Sequence, residues 1–380
     1  MNKMIYLDNN ATTQIDPRVL TAMLPFLKKN YGNPSSPHLA GRTARKAIEN
    51  AREIIAECIN ARPNEIFFTS GGTESANMAI LGITDAIDGA IPVITSQIEH
   101  PCVMNTCRML ENSGYLVTYL PVDEKGIVEI RKMEDYPIPA GAVKLVSIML
   151  ANNETGVIQP LHKFVEMLKT SAGAIFHTDA VQAAGKIPVD VKKLNVDFLS
   201  LSAHKFHGPK GVGALFVRKE FSLKPVIFGG GQERGVRPGT ENVAGIVGMA
   251  RALEIAVRDM ERNTRKMLAM KNILINGLKQ QSFTGVFINS EGADTLPNIV
   301  SVSFQGREAD KLLIKLDIGG ICVSSGAACH SGASKLSHVL KAMKVPDTCN
   351  RGTLRISLSR FNERHEIQYL LKVLREIVKT

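Results

Sequence analysis

Apolar positions along the chain recur with two different periods, and the alternation between the periods sets out a fold. In 17–27, Val19, Leu20, Met23, Leu24 and Leu27 fall on one side of a helix, with Asp16 as N-cap and Pro17 at the first helical position. The stretch 40–59 repeats the helical spacing with Ala44, Ile48, Ala51, Ile55 and Ile59, and the polar run Asn33-Pro34-Ser35-Ser36-Pro37 between them reads as a rigid loop. Short apolar runs then take over at 65–69, 92–96, 116–122, 144–150, 174–178, 198–202 and 214–217. Several are nearly continuous rather than alternating, as strands covered on both faces are. Helical patterns separate them, so the reading is α/β: a large domain with a mostly parallel mixed sheet and helices on its faces. A Gly-rich loop at 229–239 and a long helix at 242–281, with a break, mark a change of domain. Strand 298–304, helix 308–316, strand 320–324, strand 353–359 and helix 364–378 follow as a smaller α+β C-terminal domain. The expected division is 15–255 for the large domain, and 1–14 with 256–380 for the small one.

Composition narrows what such a chain does. With 380 residues and 44% hydrophobic content it can bury a large core in two domains, and without Trp that core is aliphatic. No apolar stretch approaches the length of a bilayer span, and Met1 to Asp8 lacks the apolar segment of a secretory signal. The cytoplasm is the expected compartment, with no membrane partner. The net charge of +10 is spread along the chain without interleaved aromatics, which argues against direct nucleic-acid binding. Its densest run, 262–271, has helical spacing and reads as a solvated face; an acidic protein partner or an anionic cofactor fits the charge as well. Cys58, Cys102, Cys107, Cys322, Cys329 and Cys349 form no CxxC pair or zinc-site spacing, so reduced thiols and no resident metal are expected.

Three strand ends change this picture. Ser70-Gly71-Gly72-Thr73-Glu74-Ser75 follows one strand and opens a helix near Thr73, which suits a phosphate held on free backbone N–H groups. It also suits a plain helix cap. His177-Thr178-Asp179-Ala180-Val181-Gln182 ends another strand, and a carboxylate there either meets a ligand or caps the next turn. The run 198–201 delivers Ser202-Ala203-His204-Lys205, where the lysine is either a strand cap turned to water or a desolvated amine able to form a Schiff base. Cradle, carboxylate and lysine together are the three fixed points of a pyridoxal phosphate site, in which the carboxylate keeps the ring nitrogen protonated. His100 ends yet another strand; alone it suits a satisfied loop histidine, and beside the other three it could stack on the ring. The run Gly208-Pro209-Lys210-Gly211-Val212-Gly213 looks phosphate-binding, but a strand follows it and not a helix, so it reads as a tight turn.

The chain resembles fold-type I pyridoxal phosphate enzymes of the class V aminotransferase group, and more closely the cysteine desulfurase and selenocysteine lyase family. The resemblance starts at 6–13 (Tyr-Leu-Asp-Asn-Asn-Ala-Thr-Thr), and seven further segments in the family's order carry it: 32–36, 69–75, 151–156, 177–180, 202–205, 237–242 and 324–329. The resemblance implies pyridoxal 5'-phosphate as cofactor, with Lys205 as its Schiff-base lysine and later a proton carrier. Asp179 would pair with the pyridine nitrogen, His100 would stack and act in catalysis, and Gln182 and Asn153 would lie near the ring oxygen. Thr73, Ser202 and His204 would bind the phosphate with backbone help from Gly72 and Ala203. Thr240 would reach the phosphate of a second subunit, implying a homodimer, and Arg355 would take the substrate carboxylate.

Cys329 lies in a run of small residues, Ser324-Ser325-Gly326-Ala327-Ala328-Cys329-His330-Ser331-Gly332, which suits a thiol that must enter the pocket and leave with cargo. By the resemblance it would attack the sulfur of L-cysteine, keep it as a persulfide and release L-alanine. The sulfur would then pass to acceptors such as an iron–sulfur scaffold or the tRNA thiolation machinery; a transient iron–sulfur ligand role for Cys329 stays open. His330 and Ala327 replace the Thr and Ser found in many desulfurases, and the string also resembles selenocysteine lyases. L-selenocysteine is therefore the alternative substrate, and an inactive cofactor-binding scaffold the remote alternative.

Overall fold

Helices start where the sequence offers a cap. In the computed structural model, which describes residues 4–136, 142–169, 173–280, 283–326 and 336–379, Asp16 accepts from the Arg18 N–H and opens helix Pro17–Lys28. Helix Leu39–Cys58 buries Ala44, Ile48, Ala51 and Ile55 as their spacing predicts, and Ile59 just beyond it is buried as well. The first helix departs from expectation. It buries Val19, but Leu20 is 46% exposed and Leu27 59% exposed. Met23 packs so tightly against helix Val243–Arg258 that a Cβ at Gly248 would come within 2.7 Å of its sulfur. The contact is made on the Val19–Met23 side, and the rest of the apolar stripe stays at the surface.

The central sheet has seven strands in the order Ile66–Thr69, Gly213–Val217, Phe198–Ser202, Ala174–Asp179, Lys144–Ser147, Val93–Ser96, Val117–Leu120. All pairings from Phe198–Ser202 outward to Val117–Leu120 are parallel. Gly213–Val217 runs antiparallel to both its neighbours, so Ile66–Thr69 again points the same way as the parallel set. Five strand ends that carry chemistry therefore lie along one edge. The run 208–213 is the turn joining the antiparallel pair, as its context predicts.

The predicted long helix breaks at Asp259 into Val243–Arg258 and Met260–Leu278. Within the basic run at 262–271, Arg262 and Arg265 are solvated, whereas Lys271 turns inward and donates to Thr295 Oγ1 (2.7 Å) and the Leu296 carbonyl (2.8 Å). The second sheet is antiparallel, in the order Ser324–Ser325, Thr353–Ser357, Ile299–Phe304, Val286–Ile288. The strand expected at 320–324 is divided: Ile321–Cys322 pairs in parallel with Ile5–Tyr6, and Ser324–Ser325 joins the second sheet. Strands Ile5–Tyr6 and Val286–Ile288 escape a pattern reading because two or three residues are too few to show a period.

One core lies around the central sheet, with Phe176, Ile48 and Ile94 fully buried. A second core gathers Leu7 with Leu274, Phe304, Leu354 and Leu370, so the N-terminal segment packs with the last third of the chain. Leu296, Ile299, Val339, Leu340 and Met343 pack instead into the first core. Among the described residues, no helix is long and apolar enough to cross a membrane.

Candidate active site

A cavity of about 300 Å³ opens at the carboxyl edge of the parallel strands, small by the standards of ligand pockets but of the right order. From the strand Ile66–Thr69 come Gly72 and Thr73, the first residues of helix Gly72–Thr84. A Cβ on Gly72 would lie 2.7 Å from Val181 Cγ2, so only glycine lets this helix start press against the Asp179 turn. Thr69 and Ser75 bond through their hydroxyls at 2.8 Å, and Glu74 accepts from the Ser70 N–H at 2.6 Å, so the turn holds its shape from within.

Asp179 is buried at the end of its strand, where one carboxylate oxygen accepts the Val181 N–H at 2.8 Å. Burial pushes its pKa up to about 6, against the pull of that N–H and of Lys205. Asp179 thus caps the turn and faces the ligand cavity at once, satisfying both readings of its position. Lys205, half-buried, is turned away from water: its ammonium donates to the carbonyls of Asn10 (2.6 Å) and Ala11 (2.8 Å).

His100 is the N-cap of helix Pro101–Asn112. Its Nδ1 accepts the Cys102 N–H at 3.2 Å and lies 3.1 Å from the Cys102 sulfur, which assigns the ring proton to Nε2. Burial, with the charges of Lys205, His338 and Arg355, pushes its pKa down to about 4, so the ring is neutral. Beside it, Glu99 accepts from Ser96 Oγ (2.6 Å) and from the Met149 N–H (3.0 and 3.1 Å), and burial raises its pKa to about 8. His204 lines the cavity with Nδ1 3.1 Å from Thr12 Oγ1, and burial lowers its pKa to about 4.

Arg355 enters from the other sheet. On its strand it faces Ser324 on one side and Ser301 on the other, and the two small neighbours leave room for the guanidinium. Nη1 donates to the Asn153 carbonyl (3.0 Å) and Nη2 to Asp8 Oδ1 (3.1 Å), while the buried Nε has no hydrogen-bond partner among the described residues. A planar donor held on one side and open on the other is suited to a carboxylate.

Asn10 joins the two halves. Its carbonyl accepts Lys205 and also Gln182 Nε2 (3.1 Å); its side chain donates to the Asn153 carbonyl (3.1 Å) and accepts from Asn298 (3.1 Å); its N–H donates to Ser357 Oγ (2.9 Å). Sequence reasoning included it only inside a quoted motif. The available signal was a pair of asparagines, Asn9-Asn10, in a segment that buries both.

Gly72, Thr73, His100, Asn153, Asp179, Gln182, Ser202, His204, Lys205 and Arg355 all line the one cavity. Ala203 and Thr240 do not. The Ala203 N–H donates to the Val212 carbonyl at 3.2 Å, completing the antiparallel turn. Thr240 is exposed, on a loop tied to the cradle helix by Arg237, whose Nε donates to Glu74 at 2.7 Å. Cys329 lies outside the described residues. Burial pushes the Cys58 and Cys107 thiols up to about 12, as expected of inert packing thiols. The sequence reading did not foresee Cys102, Met149 and Val181 in the cavity lining.

A family model described as Aminotransferase class-V matches residues 5–370. A cysteine desulfurase IscS of Methanosarcina thermophila is 46% identical over 379 residues, spanning 100% of this chain and 93% of that protein. A second, from Dictyoglomus turgidum, is 44% identical over 380 residues, spanning 100% and 95%. Among solved structures, a NifS-like protein superposes with a TM-score of 0.92 at 42% identity, covering 99% of both chains. The structure of SspA in complex with cysteine superposes with a TM-score of 0.81 at 35% identity, covering 94% of this chain and 100% of that one.

Proposed function

The chain belongs to the class-V aminotransferase family and is one of its cysteine desulfurases, and on that premise we propose that the cavity holds pyridoxal 5'-phosphate and uses it to take sulfur from L-cysteine. The observation that carries this is the meeting of Thr73, Asp179, His100 and Lys205 at one sheet edge, with Arg355 opposite. The donor set fits the group. Asp179 is a buried carboxylate whose raised pKa asks for a cationic partner, which a protonated ring nitrogen supplies. The start of helix Gly72–Thr84 with Thr73, Ser202 and His204 offers N–H and O–H donors for a phosphate. When bound, the cofactor supplies an electron sink beside the substrate amine.

The remaining work falls to the chain. Lys205, steered by two carbonyls, presents its amine from a fixed direction and exchanges protons with the substrate. His100 stays neutral, with its Nε2 proton to share and no charge to repel Lys205. Arg355 receives the substrate carboxylate on its open side, and Asp8 and Asn153 keep the fork from turning. In the proposed transfer the Cys329 thiolate attacks the substrate sulfur, an S–S bond forms as the C–S bond breaks, and alanine leaves. A sulfur-acceptor protein then takes the persulfide.

A homodimer in the cytoplasm completes the reading. It is supported by the exposure of Thr240, outside its own chain's cavity, and by apolar surface at Leu20, Leu27 and Phe228, the last 86% exposed. The deciding experiment measures alanine release from L-cysteine and L-selenocysteine side by side, on protein loaded with the cofactor, together with its visible absorbance. Turnover of cysteine that is lost in Cys329→Ala is the expected result. Protein that stays colourless on loading sinks the cofactor, and a kcat/KM far higher for selenocysteine replaces the substrate.

A further inference from the structure

Lys186 is a buried lysine for which the proposed mechanism has no use. Its ammonium donates to the Gln182 carbonyl at 2.8 Å and lies 3.5 Å from Gln182 Oε1. On the other side of the same carboxamide, Gln182 Nε2 donates to the Asn10 carbonyl at 3.1 Å, the carbonyl that also accepts Lys205 at 2.6 Å. While Lys186 is charged, chemistry leaves this amide one orientation. An ammonium only donates and a carbonyl only accepts, so a flipped carboxamide would set nitrogen against Nζ and oxygen against oxygen.

We propose that Lys186 is a positioning residue: it holds the Gln182 oxygen, so that Gln182 can present only an N–H to a cofactor oxygen in the cavity, and so lowers the proton affinity of the Lys205 Schiff base. The inference rests on the cofactor reading above. Gln182 lines the cavity, and the hydrogen it does not give to Asn10 is the one available there. A donor to the ring oxygen draws off the negative charge that would otherwise hold the Schiff-base proton. The charged and titratable groups around Lys186 act in the same sense. Lys205 presses on it, and its own charge is felt at His204 and His207. Burial first, and Lys205 second, push its pKa down to about 7.

The test is an absorbance titration of the cofactor-loaded protein. In wild type, a visible band that disappears in Lys205→Ala establishes the Schiff base. If that band is missing, the cofactor reading fails and this inference with it. Where it is present, Lys186→Met raises the pH midpoint of the band by about one unit, tenfold in proton affinity, while Lys186→Arg moves it much less. Gln182→Ala raises the midpoint in the same direction with Lys186 still in place, which keeps the test alive if Lys186→Met does not fold. The double variant shifts no further than the larger single shift. An unchanged midpoint in a folded, yellow Lys186→Met protein overturns the proposal, as does an unchanged midpoint in Gln182→Ala or fully additive shifts. Melting curves check that the variant is folded.

Discussion

The two sheets contribute to the cavity in opposite ways. The central sheet places its chemistry just past strand ends, where parallel strands release their backbone into turns and helix starts: Thr73, His100, Asp179 and Lys205. The second sheet places Arg355 in the middle of a strand, flanked in register by serines that make space for it. The first is a cradle whose position follows from topology, because ligands of open α/β sheets lie at that edge. The second is a clamp whose position depends on side-chain size and on Asp8 and Asn153, residues remote in sequence. Fold alone therefore predicts the cradle. The clamp has to be read residue by residue.

That contrast can be broken by substitution, beginning with the cradle. Lys205→Ala should remove the visible band and reduce alanine formation to background; a band that survives would place the Schiff base on another lysine. Asp179→Asn keeps the turn but not the charge, and kcat should fall by roughly 10²-fold or more; a small change would show that the carboxylate serves only the Val181 N–H. Arg355→Lys exchanges a fork for a point charge, so KM for L-cysteine should rise about tenfold or more with little loss in kcat. If kcat falls and KM does not, the clamp acts on the chemical step and its separation from the cradle fails.

The smallest expected effect is on stability. Glu99 titrates near 8 in the folded chain, pushed up by burial against its Ser96 and Met149 partners, and near the ordinary 4.5 when unfolded. Between those values the native state holds more protons than the unfolded state, so stability falls as pH rises through the window. Glu99→Gln removes that slope. Its melting temperature should gain on wild type by on the order of 2 °C between pH 5 and pH 8, and a pH-independent difference would refute the assignment.

How far the sequence foretold this follows the same division. The strand ends were legible because short β-rich runs followed by Gly, Asp or Lys mark where a chain leaves a sheet, and motif order told which ends meet. Arg355 was legible only through its resemblance, since an arginine inside an apolar strand usually signals a surface pair. Asn10 and Lys186 escaped because their importance lies in hydrogen bonds, those at Asn10's own backbone and those from Lys186 to Gln182, which no residue pattern encodes. The first helix shows the converse. Its period correctly found an apolar face, but a period cannot say what covers it, and Leu20 and Leu27 remain at the surface.

Asn10 also sets an order of events during synthesis. Its partners sit at residues 153, 182, 205, 298 and 357. The ribosome makes the hub 347 residues (357 − 10) before its last anchor, Ser357. At translation rates of about 5–20 residues per second, the N-terminal segment waits for many seconds before strand Thr353–Ser357 emerges to fasten it. The cradle residues are all made by then, but the clamp is not. Closing of the hub thus waits on the synthesis of strand Thr353–Ser357.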